Sequence, residues 1–142
     1  MSLTTDAEIE RITARFTDRT LPKRDWTHRA HFAVALYLVA KRELDVRAIL
    51  PDMIRTYNEA TGVANTDTDG YHETITLASL RAAETALHAA PAGTSLAVVL
   101  DALIDGRFGR SDWLLEHWSR DHLFSVEARR SWVEPDLSAL PF

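Results

Sequence analysis

The chain has no cysteine in its 142 residues. That excludes disulfides, thiolate metal sites and a cysteine nucleophile. It also fits a cytoplasmic protein, which is the expected location. A basic block is missing as well: 16 Lys and Arg stand against 21 Asp and Glu, for a net charge of −5. Nucleic acid is therefore not an expected partner, because phosphate backbones are held by clustered Lys and Arg. The longest uninterrupted apolar run, Phe32 to Ala40, is too short to span a bilayer, so no membrane partner is expected. The opening Met1-Ser2-Leu3-Thr4-Thr5-Asp6 lacks the basic-then-apolar order of a signal peptide. No repeat, low-complexity stretch or interdomain linker breaks the chain. Nucleophile elbows, phosphate loops, dinucleotide fingerprints and His-Glu-x-x-His are all absent.

What is present is an ordinary globular composition, 46% hydrophobic and 26% charged, long enough to bury one sizeable core. No segment alternates like a strand. Apolar residues recur instead at helical spacing, which predicts a single all-α domain, a bundle of about six or seven helices. The first runs from about Asp6 to Asp18, with Thr5 and Glu8 spaced as a capping box. The second, about His28 to Arg42, is capped by Thr27 and apolar on most sides, so it should be central. A third, about Asp45 to Glu59, contains Pro51 and should kink or divide there. A fourth covers about Tyr71 to Ala89, ended by Pro91 and Gly93, and a fifth about Ser95 to Ile104. Ser111 would cap a helix through about Ser119, and a further turn follows Ser125. Leu137, Leu140 and Phe142 suggest that the tail packs on the body.

Two polar motifs interrupt this pattern. Trp26-Thr27-His28-Arg29-Ala30-His31 opens the second helix, and Tyr71-His72-Glu73-Thr74-Ile75-Thr76 opens the fourth. Residues three apart are neighbours on a helix, so both imidazoles of His28 and His31 could bind one ion. A third ligand, His72 or Glu73, would complete a site with open positions, as in catalytic zinc and non-haem iron centres. His72 and Glu73 lie about 100° apart around a helix, so one would be the ligand and the other its orienting partner or a base. The metal reading takes His28, His31 and His72 as ligands of a divalent ion (zinc, iron, manganese or nickel). Glu73 is then the base and Tyr71 a hydrogen-bond donor, in hydrolytic or oxidative chemistry on a small molecule. In the rival reading the same groups form a structural hydrogen-bond network, or hold a small ligand without catalysis. Metal-free acid–base work by His72 and Glu73 is a third. A small-molecule ligand is the expected partner, and nothing in the sequence excludes a homo-oligomer.

Asn65, Asp67, Asp69 and Gly70 match the first half of an EF-hand loop, but the twelfth position is Thr76 where a bidentate Glu is needed. The stretch reads better as an exposed, mobile, turn-forming loop that would serve as a lid. His117, Asp121 and His122 lie among Trp113, Trp118 and Phe124 and read as structural.

The pairing of Trp26, His28 and His31 with the run Tyr71 to Thr76 resembles a family of small helical bacterial proteins that combine an aromatic-x-His-x-x-His helix start with a Tyr-His-Glu-Thr-Ile-Thr stretch. The similarity covers roughly residues 20 to 90. It implies where a site lies and nothing about its chemistry.

Overall fold

The computed structural model describes residues 4–41 and 45–142. Among these the chain is an all-α bundle without strands, as the helical spacing predicts. The helices are α1 (Asp6–Thr17), α2 (His28–Lys41), α3 (Val46–Ala60), α4 (Glu73–Ala89), α5 (Leu96–Asp105), α6 (Arg120–Leu123) and α7 (Val126–Arg130). The expected end of the second helix at Arg42 lies outside the described residues.

Side-chain caps set most of the starts. Thr5 Oγ1 accepts from the Glu8 amide at 3.1 Å, Thr27 Oγ1 from the Ala30 amide at 3.2 Å, and Ser95 Oγ from the Val98 amide at 3.3 Å. Each satisfies an amide that the first helical turn leaves without a partner. Pro51 does not divide α3, which runs unbroken from Val46. The ring removes only the bond to the Arg47 carbonyl, and buried Leu50, Pro51, Ile54 and Tyr57 hold the helix in place. The helix expected after Ser111 is instead a single 3-10 stretch, Trp113–Glu116. Ser119 ends it by acting as an N-cap itself, and α6 begins there.

α2 is central. Its residues Phe32 to Leu36 are all buried, and it packs against α1, α4 and α5. Helices α1 to α5 share one apolar core. A second, smaller core gathers Ala78 of α4 with Trp113, Leu114, Trp118, Leu123, Ala128 and Val133, and Phe108 and Phe142 touch both. The tail packs on the body through Leu140 and Phe142, and Arg81 donates to the Phe142 carbonyl at 2.8 Å. Leu137 departs from expectation and stays 59% exposed.

The loop before α4 is exposed but anchored. Asn65 donates to the Arg55 carbonyl at 3.0 Å, and its oxygen accepts from the Tyr71 amide at 3.0 Å. Arg130 grips Asp67 through two bonds of 2.8 and 2.7 Å. Gly70 turns the chain into α4 at φ +80°; a Cβ there would stand 2.5 Å from the Ala64 carbonyl oxygen, so a side chain is barred twice over.

Candidate functional site

The run from Tyr71 to Thr74 enters α4 facing two ways. His72 turns toward the C-terminal segment. Its Nδ1 accepts from the Ile75 amide at 3.2 Å and so caps α4, while Nε2 donates to the Leu123 carbonyl at 2.7 Å. Both ring nitrogens are committed and the residue is buried, so the expectation that His72 completes a metal site with His28 and His31 needs correcting. Among the described residues no three His, Asp or Glu side chains converge to hold an ion. Thr74, also buried, bonds to Ser131 and Val133 in the same C-terminal segment. Arg129 donates to the carbonyls of Gly70 and Tyr71. Much of the motif is thus a clasp that closes the second core.

His72→Asn should test the clasp gently. Asn keeps an acceptor for the Ile75 amide and loses the bond to Leu123. A cost of about 1–2 kcal/mol is expected in urea unfolding. A loss beyond that range would show that the ring does more than cap and tie.

Tyr71 and Glu73 face the other way. The Tyr71 hydroxyl donates to Glu73 Oε1 at 2.5 Å, and the Arg55 guanidinium lies over the phenol ring, 4.2 Å from its centroid. Burial pushes the phenol pKa up, and Glu73 adds to the rise; a hydrogen bond from Thr76 opposes it. Thr76 matters because it also lines a cavity.

That cavity, about 290 Å³, lies between α2 and α4 and is closed by Leu50 and Ile54 of α3 and by Ser111 and Leu114. Its walls are mainly apolar. Six wall side chains carry polar atoms: His28 and His31 on α2, Thr76 and Ser79 on α4, Ser111, and Trp26 through its indole N–H. The structure therefore brings His28 and His31 together with α4, one turn deeper along that helix than the start of its motif. Tyr71 and Glu73 are not wall residues; the Tyr71 phenol is linked to Thr76, which is one.

Both wall imidazoles are held by main-chain carbonyls. His28 Nε2 lies 2.6 Å from the Phe108 oxygen, and His31 Nδ1 lies 2.7 Å from the Thr27 oxygen. A carbonyl only accepts, so each of these nitrogens carries the proton. The other nitrogen of each ring, His28 Nδ1 and His31 Nε2, has no hydrogen-bond partner among the described residues. The His31 ring stacks on Trp26 with centroids 3.8 Å apart, and Trp26 stacks in turn on Phe16 at 4.4 Å. His28 meets Phe32 edge-on.

His31 is exposed by area yet closely surrounded by protein. It is also one of the residues that line the cavity. Enclosure governs its titration: burial lowers the pKa to about 4, opposed by the Thr27 carbonyl and helped by His28, while water admitted to the cavity softens the effect. Burial also lowers the pKa of His72, with Arg129 adding to the depression and the Leu123 carbonyl opposing it. In both cases the unfolded chain, titrating near 6.5, binds the proton more readily than the folded one. Stability is therefore complete above about pH 6.5 and is lost as pH falls below it. The melting temperature should decline from pH 7 to pH 5, with a shallower slope in His72→Asn. A flat profile in the wild type would contradict both depressed values.

The remaining His-rich cluster is structural. His117 accepts from Arg107 at 2.8 Å and donates from Nδ1 to the Ser138 carbonyl at 3.1 Å, rather than pairing with Asp121. Sequence reasoning found the α2 histidines but missed Ser111 and the Phe108 carbonyl that orients His28. Thr76 stood in the second motif, and nothing in the sequence marked Ser79 as the wall of a cavity. No family model, curated protein or solved structure matches the chain.

Proposed function

We propose that the protein binds a small, largely apolar organic molecule in the cavity between α2 and α4, with the ligand's polar end against His28 and His31. The observation that carries this reading is the combination of an apolar pocket with two imidazoles, each oriented by donating its N–H to a main-chain carbonyl and each with its second nitrogen uncommitted. Binding pockets are commonly built in this way, from apolar walls with a few fixed polar groups. The clasp at His72 and Thr74 supports it indirectly, because it holds the start of α4 and so fixes Thr76 and Ser79.

Protein-observed NMR with cyclohexanol, p-cresol and indole tests the proposal. Saturable shifts at Thr76, Ser79 and Leu80 are expected, and Ser79→Trp, which fills the cavity, should weaken binding at least about tenfold. Shifts scattered over the surface, or unchanged affinity in Ser79→Trp, would sink it.

A divalent metal is the second reading. A ring nitrogen donating to a carbonyl is the usual support of a metal-ligating histidine. Among the described residues His28 and His31 are the two candidate ligands at this cavity, so the ligand or solvent would supply the other positions. Elemental analysis of untagged protein, beside a His28→Ala, His31→Ala double variant, separates the two: near-stoichiometric metal lost in the variant favours this reading.

A further inference from the structure

The geometry points to a ligand whose polar end is a hydrogen-bond donor, an O–H or N–H group, received by His28 Nδ1 and His31 Nε2. This rests on the ligand pocket proposed above and adds its specificity. The carbonyl of Phe108 takes the proton-bearing nitrogen of His28, and the carbonyl of Thr27 takes that of His31. A neutral imidazole has one donor and one acceptor. With the donors spent on the backbone, what both rings have left to offer is a lone pair.

Neither ring can turn over cheaply to present its N–H instead. Flipping would break the carbonyl bond and set a lone pair against an oxygen. Trp26 stacked on His31, and Phe32 edge-on to His28, hold the rings from the side.

The hydroxyls of Thr76, Ser79 and Ser111 rotate and serve either role. The fixed acceptors are therefore the two histidines, beside one wall group that only donates, the indole N–H of Trp26. A site built to accept a proton donor discriminates strongly against an analogue without one, because its acceptors are then left dry and unpaired. Size sets the second constraint. A cavity of about 150 Å³ holds benzene, so the 290 Å³ here admits a two-ring compound.

Indole and benzofuran make a direct test. They share a shape, and benzofuran has a ring oxygen where indole has N–H. Their dissociation constants would be measured by protein-observed NMR at pH 8. Indole should bind at least about tenfold more tightly in the wild type. The preference should fall severalfold in His28→Phe and in His31→Phe, each of which keeps a ring in the wall; spectral dispersion reports that the variants fold.

The wild-type ratio decides the matter without any variant. Equal affinities, or tighter benzofuran, would overturn the donor inference while leaving the ligand pocket standing. A preference for indole that survives in both variants would overturn the assignment to the histidines. Failure of both compounds to shift the wall residues would overturn the pocket reading and the inference together.

Discussion

Trp118→Ala is expected to cost about 3–5 kcal/mol, the usual range for removing a fully buried large aromatic. The side chain is 0% exposed at the centre of the second core. It meets Trp132 edge-on with centroids 5.6 Å apart, and its indole N–H donates to the Val133 carbonyl at 3.0 Å. Alanine leaves a cavity and an orphaned carbonyl. For a chain of this length the melting temperature should fall by on the order of 10–20 °C. Trp118→Phe separates the two causes. Phenylalanine restores much of the volume and none of the N–H, so it should recover more than half of the loss. If phenylalanine proves as damaging as alanine, the bond to Val133 dominates and the packing account fails. Hydrogen exchange adds a second readout: amides of residues 131–133 should open earlier in both variants, because both release the Val133 carbonyl.

The damage should spread to the candidate site through a particular route. Leu114 belongs to the second core and also lines the cavity. The second core is thus the floor on which part of the pocket stands.

This arrangement explains what could and could not be read from the sequence. The five long helices were legible because each carries an apolar stripe over several turns, and two of them start with a recognisable cap, Thr5 or Thr27. Helical spacing puts His28, His31, Ala35 and Leu38 on one face of α2, and the first three line the cavity while Leu38 does not. The short elements after Gly106 were not legible, since four or five residues give no periodicity to read. His72 misled for a more specific reason. Histidine is not among the preferred N-caps, so its place before an apolar helix suggested a ligand rather than a cap. Its second partner, the Leu123 carbonyl, lies 51 residues away, and the partners of Thr74 lie 57 and 59 away. No local pattern encodes such pairings. Glu73 and Tyr71 satisfy each other for the opposite reason: two positions apart, they meet at the end of a helix.

Thr74→Val should remove about 2–3 kcal/mol of stability in urea unfolding, although valine has the same shape as threonine. Thr74 is 0% exposed, so no water stands ready to replace its hydroxyl. The oxygen donates to the Ser131 carbonyl at 3.0 Å and accepts from the Val133 amide at 3.2 Å, joining the start of α4 to the segment after α7. Valine leaves both backbone groups without their partner. The Val133 amide suffers more, because Val133 is itself buried whereas Ser131 is exposed and its carbonyl finds water. Thr74→Ser is the informative control. It keeps the hydroxyl and gives up one methyl, so it should cost about 1 kcal/mol. The order valine worse than serine is therefore the expected result, opposite to what apolar packing alone would give. If serine is the worse substitution, Thr74 acts as a core methyl and the clasp holds by packing rather than by hydrogen bonds. The ligand readout should follow the same order. Loosening the start of α4 frees Thr76 and Ser79 in the next turn, so indole should bind more weakly to the valine variant and nearly normally to the serine one.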